Sequence, residues 1–392
     1  MGYKKYLLII LLSCPALLAY AQKKQSYSKA RVDNLTDSLI NAGNWKEVIV
    51  KSKEYIAHGV DYTGLRLKVG FAQFMVGNYA AATENYERVL KRDPNNQTAR
   101  YYLFLCYKYQ NNEVLAGEQL AKLDTASLKL LQAGRTGFVS AGLESSYKMA
   151  NTTYRGNASY TKADLSVRVA GKLLAYDAVS YFDQKIYSYS NRKWQVNDDR
   201  QKENFLKLSY ALCDHFTLTG GWHYLNTQYL TTNYNGNLFV GGINYSVPYL
   251  SLQGDVDAGR IMTDKLKQYN GQVMVEPLGN LNLYFISGVS YLNRSTTDNF
   301  IFSETAGFKA IKNIWLETSA TFGKLNDYVE AGGLYIYNTF DDTKLKLGET
   351  AYFQLTRRLM LNLNYTYEKK QDNVEKFNYN QNSIAARISW MF

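Results

Sequence analysis

The residues of this chain best suited to chemistry are three histidines, three cysteines and two aspartates set two apart, Asp255 and Asp257. Leu250 and Leu252 alternate with Ser251, Gln253, Asp255 and Asp257, which puts both carboxylates on one side of a strand. Paired carboxylates in a cleft serve acid–base work, but in a polar interior they more often neutralise bases. His223 follows Trp222 and falls on the polar side of its own alternating stretch. A nucleophile to go with it would need a serine or cysteine held by a motif, and none stands here. His215 falls in a tight turn and His58 near a helix end, where neither is assigned a role. Cys14, Cys106 and Cys213 lie in three separate segments, with neither metal-ligand spacing nor a disulfide framework. P-loop and dinucleotide fingerprints are also missing from the sequence. The expectation is a non-enzymatic protein with no catalytic residue, metal or cofactor. Lys207, His223, Asp255, Asp257, Arg260, Glu349 and Arg387 are then expected to form a polar cluster lining an interior.

The elements that would hold such a cluster are strands. Leu359 to Tyr367 alternates apolar or tyrosine residues with Asn362, Asn364 and Thr366, and Leu206, Leu208, Tyr210 and Leu212 alternate with Lys207 and Ser209. One face carries charge and the other does not. A sheet buried on both sides cannot accommodate that pattern, but a barrel with lipid outside and polar groups inside can. Tyrosine is abundant at 35 residues, and no internal apolar run approaches the ~20 residues of a membrane helix. The last ten residues end the chain on Ile388, Trp390 and Phe392, read as the closing-strand signal of such a barrel. Phe216, Trp222, Tyr224, Trp315, Tyr365, Tyr367 and Trp390 suit aromatic girdles at the membrane surfaces.

Short turns at 213–215, 247–249, 277–280, 311–313 and 356–358 alternate with longer polar stretches at 149–160, 188–203, 230–236, 262–268, 294–299, 326–343 and 371–380. Short turns are expected to be periplasmic and long ones outward. The segment 326–343 is expected to be a loop, or strand ends above the membrane. The result is a transmembrane antiparallel β-barrel over 136–392, with fourteen strands and twelve or sixteen as alternatives. Its first strand, near 137–148, should pair with its last.

Upstream the period changes. Gly43-Asn44-Trp45 and Gly77-Asn78-Tyr79 align at a separation of 34, and another 34 lands on Asn111-Asn112-Glu113. That is the tetratricopeptide period, so 28–131 is read as an α-solenoid of about three helix pairs, near 29–62, 63–96 and 97–130. Gly70, Tyr79, Ala82, Tyr86 and Pro94 occupy the packing and stop positions of the middle unit. Lys4, Lys5 and the apolar run Leu7 to Leu18, followed by Ala19-Tyr20-Ala21, predict a signal peptide over 1–21. A lipoprotein signal ending at Cys14 is the alternative reading.

The net charge of +11 comes without a dense Lys/Arg patch, so nucleic acid is not expected as a partner. Signal peptide, helical repeats and a barrel ending Ile388-Ser389-Trp390-Met391-Phe392 together resemble the YaiO-type outer-membrane β-barrel family, most sharply from Tyr365 through Phe392. The architecture is also similar to the larger exopolysaccharide exporters. The resemblance implies an outer-membrane location in a Gram-negative envelope and the helical part in the periplasm. Expected partners are outer-membrane lipid, the outer-membrane insertion machinery, and a periplasmic protein or glycan at the repeats. Envelope transport or assembly is the expected role, including surface polysaccharide export. A scaffold barrel with a closed lumen and a lipid- or glycan-modifying barrel enzyme are the alternatives.

Overall fold

The computed structural model describes residues 27–190, 192–229, 231–294, 297–338, 341–373 and 376–392. The signal peptide expected over 1–21 lies outside the described residues.

Seven helices come first: α1 Lys29–Asn41, α2 Trp45–Ala57, α3 Thr63–Met75, α4 Tyr79–Arg92, α5 Gln97–Tyr109, α6 Glu113–Lys122 and α7 Thr125–Leu131. The turns inside the first three helix pairs share one backbone device. Gly43, Gly77 and Asn111 have φ of 71°, 79° and 57°. The next residues, Asn44, Asn78 and Asn112, are the N-caps of α2, α4 and α6. Glycine and asparagine tolerate this left-handed conformation better than other residues do, which explains why they recur at the 34-residue spacing. Gly70 lies against the Tyr86 ring, which an added Cβ would approach to 3.0 Å. Tyr86 and Ala82 are fully buried, and Tyr79 stacks on Tyr109 with centroids 4.9 Å apart. Pro94 sits in the turn after α4 and accepts a hydrogen bond from Arg100.

One polar cluster ties the first two helix pairs together. Arg66 grips Asp61 through two hydrogen bonds of 2.8 Å and donates to Asn85 at 2.9 Å, while Arg92 reaches Asp61 at 2.9 Å. Arg66, then Arg92, hold the Asp61 carboxyl well below the usual carboxylate range. A depressed folded-state pKa stabilises fully above the unfolded value of about 4, and that stabilisation is lost as pH falls below it. Asp61→Asn should therefore destabilise the helices by about 1–3 kcal/mol at neutral pH. The gap to wild type should close below about pH 4. Thermal unfolding of the full chain, followed by helical circular dichroism across pH, checks this; a gap that stays constant would contradict it.

The barrel strands are β1 Gly137–Ala150, β2 Arg155–Ala170, β3 Leu173–Ser190, β4 Lys193–Ala211, β5 Phe216–Tyr229, β6 Thr232–Val247, β7 Leu250–Ile261, β8 Asp264–Val275, β9 Leu283–Arg294, β10 Asp298–Ile311, β11 Ile314–Phe322, β14 Asp342–Gln354, β15 Leu359–Gln371 and β16 Asn378–Met391. A separate small hairpin pairs β12 Val329–Glu330 with β13 Tyr335–Ile336. The fourteen antiparallel strands close into a barrel, as the alternation predicts. Closure pairs β16 with β1, from Ser140 opposite Met391 to Ala150 opposite Gln381. Outward-facing Leu143, Val179, Leu208, Phe239 and Ile243 are exposed, whereas the alternate residues face an interior rich in charge and amide groups. No described helix is long and apolar enough to cross a membrane, which says nothing against crossing with strands.

Among the described residues, the polar stretches at 188–203, 230–236 and 262–268 are mostly strand rather than loop. β3 and β4 run on to Ser190 and from Lys193, β6 starts at Thr232, and β8 starts at Asp264. Backbone pairing extends these strands past the apolar belt, where polar side chains suit a ladder facing water on both sides. Trp315 departs from the girdle pattern. It lies on the face opposite exposed Leu316, with Lys309 Nζ 4.7 Å from its ring centroid.

At the seam, Ile384, Ile388, Trp390 and Phe392 are outward and 41–58% exposed. The Phe392 amide donates to the Val139 carbonyl at 3.1 Å, and its ring lies 5.5 Å from that of Phe138. Deleting Phe392 removes a bond and a ring from the closing pair while leaving the lumen untouched. The expected result is a several-fold drop in membrane-inserted protein; unchanged levels of the truncated chain in outer-membrane fractions would contradict it.

Candidate functional site

The interior of the barrel is closed at two levels. At the outer level the segment 323–338, after β11, folds into the barrel instead of standing above it, so the expectation for 326–343 is corrected. The reason is a two-residue-paired hairpin whose side chains find partners around the wall. Gln268 donates to the Val329 carbonyl at 2.7 Å and accepts from its amide at 3.0 Å, imitating a strand. Tyr335 donates to Glu144 at 2.9 Å and bonds Lys162, Tyr337 donates to Glu368 at 2.9 Å, and Lys346 pairs with Glu330 at 2.8 Å. Asn338 donates to Gln201 at 2.6 Å and Thr227 at 3.0 Å. Leu325, Tyr328 and Val329 complete an apolar cluster with Leu225, Leu238, Ile261, Leu266, Leu292 and Ile301. At the hairpin tip, Gly333 has φ 97°, and a Cβ there would lie 2.5 Å from Val240 and 2.9 Å from Phe205. Only glycine combines that backbone with that proximity.

At the other rim, helices α3 to α6 sit against four turns of the barrel. Arg168, at the end of β2, donates to the Glu113 carbonyl at 3.0 Å and its carboxylate at 3.1 Å. Lys172 pairs with Glu118 at 3.4 Å. In the β4–β5 turn, Asp214 meets Lys122 at 3.4 Å and its carbonyl accepts from Tyr107 at 3.4 Å. Tyr249 donates to Asn78 at 3.1 Å. In the β8–β9 turn, Ala80 donates to the Gly279 carbonyl at 3.0 Å and Asn280 to the Gly77 carbonyl at 2.6 Å. The same turn devices that build the helix pairs therefore also dock them. Burial pushes the Glu87 carboxyl up against the opposing pull of His215, and it pushes Glu276 up likewise.

The anticipated polar cluster is divided by this arrangement. His223 is fully inside, with Nδ1 2.6 Å from the Gly333 carbonyl and Nε2 3.0 Å from Glu203. Asp255 and Asp257 share Asn270, whose amide lies 2.8 Å from Asp257. Arg387 faces in and clasps Asp164, with Glu144 at 3.9 Å. Lys207 lies lower, nearer the helices, with Nζ 5.7 Å from the Tyr176 ring centroid. Two members are not in the lumen at all. Arg260 is exposed on the face of β7 opposite Asp255 and Asp257, and Glu349 is exposed and bonded at 2.9 Å by Thr318 on the outer face. Arg260 is an odd number of residues from the aspartates. In β14, the bulge between Thr343 and Leu345 helps set the outward phase of Glu349.

The sequence reading missed Glu144, Lys162, Asp164 and Glu203, which carry the main interior pairs; Lys162 and Glu144 stand 2.9 Å apart. The signal was present in β2, where Lys162, Asp164, Ser166 and Arg168 alternate with Ala163, Leu165 and Val167. No comparable signal marked Tyr335 and Tyr337. Both ring nitrogens of His223 are engaged and one amide bridges the two aspartates, while Asp257 Oδ1 is buried without a hydrogen bond among the described residues. No group of three or more His, Cys, Asp or Glu among the described residues is placed to hold a metal ion. Cys106 is buried and Cys213 exposed, and both are free thiols.

Neither the family models nor the curated proteins compared with this chain match it. Solved structures are similar in architecture. The CymD monoaromatic hydrocarbon channel is 10% identical, covers 70% of this chain and 92% of its own, and has a TM-score of 0.44. The outer membrane protein Omp33 of Acinetobacter baumannii is 7% identical, covering 65% and 99%, with a TM-score of 0.39. A structure titled bacterial polysaccharide outer membrane secretin is 8% identical, covering 65% and 99%, with a TM-score of 0.42. At such values these likenesses carry nothing beyond the closed barrel already described.

Proposed function

We propose that this chain is an outer-membrane barrel that passes a solute between the cell surface and the periplasm, and that it rests closed. The carrying observation is the polar, ion-paired lumen. A barrel that only braces a membrane can fill itself with apolar side chains, whereas this one is crossed by a hydrogen-bonded loop and leaves a cavity beneath it. The exposed apolar exterior supports placement in a bilayer, with lipid as its surroundings. The aromatic closing strand supports delivery by the outer-membrane insertion machinery. The helices would then lie in the periplasm. Helices α1 and α2 belong to the pair farthest along the chain from the barrel, and they are the surface we assign to a periplasmic protein or glycan.

The tetratricopeptide reading, the YaiO-type resemblance and a role in surface polysaccharide export belong to this proposal. They are supported by the recurring left-handed turns at Gly43, Gly77 and Asn111 and by the two-part architecture. Non-enzymatic action is supported by the structural engagement of His223 and Asp255. A scaffold barrel is the second reading, favoured by the closure at both levels. Planar-bilayer recordings separate the two. A channel should show rare openings that become frequent when both closures are weakened. A barrel silent even with both closures removed is a scaffold.

A further inference from the structure

Between the hairpin tip and the helices lies a cavity of about 470 Å³. Its barrel wall presents Ser166, Tyr176, Lys207, Ser209, Asn244 and Gln253. The lining is dominated by hydroxyls and amides, and its one ammonium, Lys207, has no counter-charge in contact. Among the described residues, Lys207 Nζ makes no hydrogen bond or ion pair; it stands 5.7 Å from the Tyr176 ring centroid and 5.9 Å from that of Phe205. The carboxylates facing the same space are each engaged. Glu113 pairs with Arg168 at 3.1 Å and with Lys108, Glu276 accepts from Gln110 at 3.0 Å, and Glu87 accepts from Tyr107 at 3.3 Å beside His215 at 3.8 Å. Among the described residues Asp255 makes no ion pair with Lys207, and it is held by Gln253 at 2.9 Å and by Asn270.

We infer that this chamber binds a small hydroxylated anion, a sugar acid or sugar phosphate, whose charged group pairs with Lys207. A partly desolvated ammonium over aromatic rings gains most from an anion that replaces its lost water. The surrounding hydroxyls and amides suit the alternating donors and acceptors of a polyol. The volume falls in the range of small-molecule sites and holds one or two sugar rings. The inference deepens the conduction reading and rests on it for the route of entry.

The test is calorimetric titration of the full chain in detergent with glucuronate, glucose 6-phosphate and glucose. At least one of the two anions should bind, with glucose about tenfold weaker or more. Which anion is preferred distinguishes carboxylate from phosphate. Lys207→Met keeps the stem against Tyr176 and Phe205, and it should weaken the anion about tenfold or more while leaving glucose unchanged. Lys207→Arg should retain binding, which guards against misfolding as the explanation. Equal affinity for glucose and both anions, or an unchanged Lys207→Met, overturns the inference. So does an absence of anion binding both in wild type and in Gly117→Leu, whose chamber floor is displaced. Loss of binding with intact conductance sinks this inference alone, whereas binding without conductance sinks the conduction reading and leaves the site standing.

Discussion

Replacing residues 328–338 with a short flexible linker should turn a barrel that is shut nearly all the time into one that conducts, most fully when the inner closure is also removed. The replaced segment contributes Tyr335, Tyr337 and Asn338, whose hydrogen bonds to Glu144, Glu368, Gln201 and Thr227 hold the hairpin in the lumen. It also withdraws Tyr328 and Val329 from the apolar cluster. Breaking buried charged contacts costs about 3–5 kcal/mol, so spontaneous withdrawal is rarer than about one part in a hundred. With the inner closure open, removal of the hairpin should raise the time-averaged current by roughly a hundredfold or more. Wall residues such as Glu144 and Lys162 keep each other as partners at 2.9 Å, so the barrel itself should still fold. Single-channel recording reads the result. An unchanged current in the doubly altered chain would remove the hairpin from any gating role.

The second large effect is expected at Gly117 on α6. A Cβ there would lie 1.8 Å from Arg168 Nη1 and 2.3 Å from the Gly171 carbonyl. The arginine tip can swing aside, but the backbone of the β2–β3 turn cannot. Gly171 in turn faces Ala121, whose Cβ would lie 2.3 Å from one added at Gly171. Helix and turn thus meet backbone to backbone, and Gly117→Leu must lift α6 from the rim. Overpacking of this kind costs about 1–3 kcal/mol, which shifts the docked-to-undocked ratio about five- to 150-fold. The measurable outcome is easier proteolytic release of the helices, with the barrel still resistant to heat in detergent. Because the two closures act in series, Gly117→Leu alone should change current little. Combined with the hairpin replacement, it should exceed the sum of the two single effects. A merely additive result would mean that the helices do not obstruct the path.

Much of this organisation was legible in the chain. Period-2 alternation reports which face of a strand meets lipid, because adjacent side chains point to opposite sides whatever the neighbouring strand is. Leu206 to Leu212 and the final strand could therefore be read directly, and the closed count of fourteen followed. The 34-residue spacing was equally local, since it marks turns that need a left-handed residue at Gly43, Gly77 and Asn111. The division of the polar residues among partners was not legible. His223 with Glu203 and Arg387 with Asp164 are pairs set by barrel closure and strand stagger, which place residues 20 and 223 positions apart side by side. Arg260 and Glu349 were assigned to the lumen on charge alone, although their phase along the strand sets them outside.

The sequence by itself determined the elements, their facing and the closing strand, because those depend on backbone conformation and on side-chain polarity within a few residues. Tertiary structure alone decided that 323–338 turns inward and that the helices cover the opposite rim. Both outcomes depend on surfaces far apart in the chain. Tyr335 finds Glu144 and Gly117 meets Gly171 only once the barrel exists, and no local pattern records a partner that closure has yet to create.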